Sequence, residues 1–249
     1  MVAAACACGS DADDAQDRGD AAVAADGGGR DEPAETEVPC VDQSISQLML
    51  FEDTAPPAIS ETHDEESGTF ETTIDATAGG LVPTQSYVYA RFKDDGLWQV
   101  DLGDEGAFES SDWDIAFRRY VIRLNSGVSG PGSVTGARTA PKTAFTELDT
   151  VPEDLEYRTE QYFTEACDYV SDGSGIGAPA SALASFWTYQ SCVAMTGNVY
   201  VLALPGGRHV KLEILAYYEP DKQAICNETG MVPMPSGAGR IMLRWAFLE

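Results

Sequence analysis

The chain reads as all-β, an antiparallel sandwich or meander with short helical inserts in a single domain. Three observations carry this. Alternating apolar runs recur from about Phe70 to the C-terminus. Two pairs of such runs flank strong turn signals, Asp94-Asp95-Gly96 and Pro205-Gly206-Gly207. No period of 20–50 residues appears, which disfavours solenoids and propellers. With 43% hydrophobic and 9% aromatic residues, the 249-residue chain can bury a substantial core.

The N-terminus is of a different texture. Residues 1–8 run small and apolar into Cys6 and Cys8, like the remnant of a lipoprotein signal peptide. Cys8, followed by Gly9-Ser10-Asp11, is the better lipidation candidate and Cys6 the alternative. Residues 9–40 hold no aromatic residue and are rich in Asp, Ala, Gly and Glu. Such a stretch cannot bury enough apolar surface to offset its ordering entropy, so it reads as a disordered acidic tether. The β domain is expected to occupy residues 41–249.

Within it, residues 60–68 read as an exposed polar loop. Residues 86–92 and 97–102 read as the two arms of a hairpin. Residues 113–124 read as one alternating strand, with Trp113, Ile115, Phe117 and Val121 on one face and Ala116, Tyr120, Ile122 and Leu124 on the other. Short helices are expected over 154–166 and 179–187, separated by the glycine-rich loop 171–177. Residues 198–204 and 208–218 form the second hairpin, with Val210, Leu212, Ile214, Ala216 and Tyr218 facing the core by period two. Ile241, Leu243, Trp245 and Phe247 repeat that pattern.

Charge narrows the function. Fifteen Lys and Arg stand against 41 Asp and Glu, a net charge of −26. Nucleic acid and anionic lipid are excluded as partners, because both need clustered positive charge. No run approaches the roughly 18–20 apolar residues needed to span a bilayer, leaving a lipid anchor as the only membrane attachment. Cys40, Cys167, Cys192 and Cys226 show no C-x-x-C spacing, and with two histidines in the chain a zinc site lacks ligands. Two disulfides in an exported protein are the expected use. Of three possible connectivities, Cys167–Cys192 with Cys40–Cys226 is preferred, the first closing a Gly/Ser/Ala-rich excursion and the second tying the domain's ends.

Catalytic signals are absent. There is no G-x-S-x-G elbow, P-loop or dinucleotide fingerprint, and acidic pairs carry little information in so acidic a chain. The chain is read as a binding protein, not an enzyme. His63 sits among Asp64, Glu65 and Glu66 and reads as solvated. His209 opens a strand. Met231 and Met234 lie in a Pro/Gly-rich loop, where a thioether could reach a ligand. Arg118, Arg119 and Arg123 form a local cationic cluster suited to an anionic ligand.

Several strings together resemble one family. They are Thr73-Ile74-Asp75-Ala76-Thr77, Tyr87-Val88-Tyr89, the W-D-x-A-x-x-R-Y run from Trp113 to Tyr120, and Asn125-Ser126-Gly127. Val199-Tyr200-Val201, Gly206-Gly207, Val210-Lys211-Leu212 and Tyr217-Tyr218 continue the series. In this order they resemble the HmuY family of haem-binding bacterial surface lipoproteins, over roughly residues 70–130 and 184–220. The resemblance implies an all-β fold, a lipid anchor at the outer membrane or cell surface, and haem capture for delivery to an outer-membrane haem transporter. Members are known for paired histidine or methionine iron ligands, and Arg118 falls where one member has a ligand histidine. Met231, Met234 or His209 are therefore the iron-ligand candidates here. Arg118 and Arg119 are the candidates for the haem propionates, and no metal beyond haem iron is expected. The alternative is a surface lipoprotein of the same fold that binds another ligand or a protein.

Overall fold

The computed structural model describes residues 37–80 and 82–249. Residues 1–8 with Cys6 and Cys8, and all but the last four residues of the tether, lie outside the described residues. Val38 is buried and Cys40 is disulfide-bonded, so the folded chain reaches back past residue 41.

Two antiparallel sheets form the sandwich. The larger has six strands in the order β1 (Ile59–Asp64), β2 (Thr69–Asp75), β12 (Arg240–Leu248), β11 (His209–Ala216), β10 (Val199–Ala203) and β7 (Thr135–Arg138). The smaller runs β4 (Gly96–Val100), β3 (Val88–Lys93), β5 (Ile115–Arg118) and β6 (Val121–Leu124). A separate ribbon pairs β8 (Trp187–Tyr189) with β9 (Val193–Met195). Among the described residues two α-helices complete the framework, α1 (Val41–Gln47) and α2 (Pro220–Thr229).

The core lies between the two sheets and follows the period-two pattern. Val210, Leu212 and Ile214 of β11 and Ile241, Leu243 and Trp245 of β12 meet Val88, Ala90, Ile115, Phe117, Ile122 and Leu124. Trp245 stacks on Phe70 at 4.3 Å and meets the edge of Phe92 at 4.9 Å. Each such side chain contributes roughly 1.5–3 kcal/mol by leaving water. Both expected hairpins are present, β3–β4 closing with Lys93 opposite Gly96 and β10–β11 with Ala203 opposite His209.

Four sequence expectations need correction. Residues 113–124 are not one strand. Arg119 adopts φ 52°, and the chain folds back so that Arg118 pairs with Val121. The turn resets the alternation: Ile115, Phe117, Ile122 and Leu124 all face the core, while Ala116 and Val121 pack on the outer face. Residues 60–64 belong to edge strand β1, where His63 stacks on Phe70 at 4.1 Å.

The helices expected over 154–166 and 179–187 do not form. Their backbone groups find partners on the sheet edges instead. Arg158 exchanges two hydrogen bonds with Gly136 of β7, and the Glu160 carboxylate accepts from the amides of Leu124 and Ala182. The helices occur elsewhere. Pro220 in the first turn and Gly230 at φ 71° bound α2, a pairing legible in the sequence.

The same four cysteines are bonded, but as Cys40–Cys167 and Cys192–Cys226. The excursion after Cys167 does not close on itself. Cys192 immediately precedes β9, which packs on α2, and Cys226 is on the buried face of that helix. The second bridge therefore follows from an unforeseen helix.

Candidate functional site

The residues of the W-D-x-A-x-x-R-Y string mostly hold the fold. Trp113 Nε1 donates to the Ala107 carbonyl, and the Asp114 carboxylate accepts from the Phe92 amide. Asn125 Nδ2 donates to the carbonyls of Ser110 and Trp113, while its Oδ1 accepts from Gly132. Asp114 also borders a cleft with Arg91, Lys93 and Arg208, and the β5–β6 turn, residues 118–120, faces another.

That turn is fixed from three sides. The Arg119 amide donates to the Ala76 carbonyl at 2.7 Å. Its guanidinium donates to the Gly80 carbonyl and to Tyr217 Oη, each at 2.9 Å. Tyr120 packs against Trp187 at 5.5 Å and Tyr217 at 6.3 Å. Burial pushes the Tyr217 phenol up to about 12, so it stays protonated at neutral pH.

Arg118 is buried. It donates to the main-chain carbonyls of Leu48 and Met49 and lies 3.5 Å from the Asp104 carboxylate, also fully buried. Asp104 further accepts from the amides of Phe51 and Tyr87 and from Tyr89 Oη. The Tyr87 ring packs against two guanidinium groups, Arg118 at 4.2 Å and Arg123 at 4.1 Å. Arg123 is fully buried and donates to Tyr89 Oη at 2.6 Å. The cationic cluster is thus two-thirds internal: Arg118 and Arg123 are buried, and Arg119 is the more open of the two that line the cleft.

The cleft holds about 200 Å³. Its floor is Tyr87 with residues 118–121, one wall is residues 47–49, and the other is Tyr169 with residues 177–179. Tyr169 Oη donates to the Gly177 carbonyl, and burial raises its phenol well above the usual range. The Cys40–Cys167 bond links the two walls, since α1 leads into the first and Cys167 precedes Tyr169. Met49 on the first wall is 51% exposed. The apolar run Leu48-Met49-Leu50-Phe51, directly after the polar N-terminal region, was its signal in the sequence.

Met231 and Met234, 67% and 81% exposed, lie on the loop between α2 and β12. This loop is tied to the cleft's end of the sandwich. Gly239 donates to the Tyr217 carbonyl and accepts from Ala76, whose own carbonyl holds Arg119. His209 is elsewhere. It begins β11, its ring 6.2 Å from Tyr157, and the strand ends beside Tyr217, on the order of 20 Å away at 3.3 Å per residue.

Among the described residues, no group of three or more His, Cys, Asp or Glu is placed to hold a metal ion. Nor is any described helix long and apolar enough to cross a membrane.

Comparison with known proteins adds the following. A family model described as HmuY protein matches residues 83–229, more than half of the chain. A proposed lipoprotein from Bacteroides fragilis superposes with a TM-score of 0.47 at 14% identity, covering 74% of this chain and 93% of its own. A proposed HmuY-like haem-binding protein from Bacteroides vulgatus gives 0.46 at 17% identity, with 76% and 96% coverage. The apo form of an HmuY analogue from Tannerella forsythia gives 0.40 at 14% identity, with 78% and 100% coverage. No curated protein sequence matches significantly.

Proposed function

The chain belongs to the HmuY family, and we propose that it is an exported, lipid-anchored protein that binds haem at the cleft end of its sandwich and passes it to an outer-membrane transporter. The observation that carries this reading is the cleft floored by Arg118, Arg119 and Tyr120, inside the family-matched region. A porphyrin offers an apolar face to the tyrosine rings and anionic propionates to Arg119. Arg118 lies beneath, its donors directed at the main chain and its charge met by the Asp104 carboxylate, so Arg119 is the propionate candidate the geometry favours. Met231 and Met234, both exposed on the loop after α2, offer thioethers, which are sulfur ligands within the family's range; His209 is the less favourable choice. Lipidation at Cys8 or Cys6 would place the protein at the bacterial surface.

At about 200 Å³ the cleft is smaller than the roughly 300–1,000 Å³ of sites that enclose a ligand. Haem would enter edge-first and stay open on one side, which suits a carrier that must release it. The same dimension favours, as the second reading, a family member that takes a smaller ligand. Titration of the full chain with hemin decides between them. A displaced Soret band at one equivalent supports haem capture, and an unchanged hemin spectrum in both oxidation states leaves the second reading.

A further inference from the structure

The wall that carries Met49 has an unusual construction. Residues 38–51 lie outside the family-matched region, yet they are fastened along their whole length. Cys40 is bonded to Cys167, Leu48 is buried, and Phe51 exchanges hydrogen bonds with Asp104, its amide to the carboxylate and its carbonyl from the amide. Between these anchors Met49 sits at φ 49°, a left-handed conformation unfavourable for a non-glycine residue. Arg118 holds that conformation by donating to the Met49 carbonyl at 2.9 Å. The backbone is over-determined, while the residue is half exposed and lines the cleft.

We propose that Met49 is a sulfur ligand to the iron of haem bound in this cleft, supplied by the N-terminal strap and not by the family-matched region. The inference rests on the haem-capture reading and deepens it. Met49 lines the cleft itself, whereas Met231 and Met234, on the loop between α2 and β12, are not among its lining residues. A thioether is neutral and soft, so it ligates iron without adding to the charge of −26. The step is coordination alone: a sulfur lone pair displaces a solvent ligand from the iron, and no electron is transferred.

The test is titration of the full chain and of Met49→Leu with hemin and with iron-free protoporphyrin. Leucine keeps the apolar volume and removes the sulfur. The expected result is a displaced Soret maximum and about tenfold weaker hemin binding for Met49→Leu, with iron-free porphyrin binding unchanged. Thermal unfolding of the variant should match the parent, because the substituted side chain is half exposed. A hemin spectrum and affinity equal to the parent's overturns the assignment while leaving haem capture intact. An equal loss for both porphyrins also overturns it, since the contact is then apolar packing. If the parent chain binds hemin not at all, both readings fall together.

Discussion

Arg118 donates a hydrogen bond from Nη1 to the main-chain carbonyl of Met49, joining the sheet to the N-terminal strap across 69 residues of sequence. The same guanidinium faces Asp104, and both side chains are almost wholly out of water. Removing one partner of such a pair strands the other charge, at a cost of about 3–5 kcal/mol. Arg118→Ala should therefore unfold at markedly lower urea. Arg118→Lys should recover little, because a lysine cannot bridge two carbonyls and a carboxylate in the planar arrangement. Parent-like midpoints for both variants would show that the strap is held by other contacts.

The disulfide pairing has a direct readout. Non-reducing digestion should give one cross-linked peptide holding Cys40 with Cys167 and another holding Cys192 with Cys226. The first bridge spans 127 residues and the second 34. In the chain-entropy view the longer loop restrains the unfolded state more, by roughly 1 kcal/mol. Removing both cysteines of the Cys40–Cys167 pair should thus lower stability further than removing Cys192 and Cys226. The reverse order would place the main contribution in native packing around α2.

Gly127, third residue of the Asn125-Ser126-Gly127 string, answers to geometry and not to ligand chemistry. It adopts φ 56°, and a Cβ there would lie 2.1 Å from the Glu160 carbonyl, which accepts from the Val128 amide. Gly127→Ala must displace the backbone at 160 and should cost more than about 2 kcal/mol, measured by chemical denaturation. A loss below half that figure would mean that the 158–163 segment yields easily.

These cases separate what the sequence discloses from what it hides. Hairpins β3–β4 and β10–β11 were legible because Asp94-Asp95-Gly96 and Pro205-Gly206-Gly207 are local signals. The β5–β6 turn was not, since Arg119 and Tyr120 carry no turn signature and Arg119 takes positive φ under tertiary hydrogen bonds. Residues 154–166 and 179–187 read as two short helices because their alternatives, the edges of β7 and β6, are remote in sequence. The arginine cluster was visible as charge. That Arg123 is buried under tyrosines and Arg118 clamps a strap depends on which face each strand residue takes, a parity the hidden turn reversed.

Glu160 makes the fold sensitive to pH in a direction opposite to that of most carboxylates. It is wholly buried, accepting from the amides of Leu124 and Ala182, and burial raises its carboxyl from 4.5 to about 7. In the unfolded chain the proton leaves near pH 4.5, while the folded chain keeps it until about pH 7. Its contribution to stability is therefore full below pH 4.5 and is lost as pH rises through about 7. The loss amounts to about 3 kcal/mol at most, at 1.36 kcal/mol per pH unit between the two values. Urea midpoints measured from acidic to mildly alkaline pH should fall across this window in the parent chain. Glu160→Gln cannot ionise, so its profile should be flatter there whatever its absolute stability. A parent and variant with parallel profiles would show that Glu160 titrates near its ordinary value, and the two amide hydrogen bonds would then be strong enough to outweigh the burial.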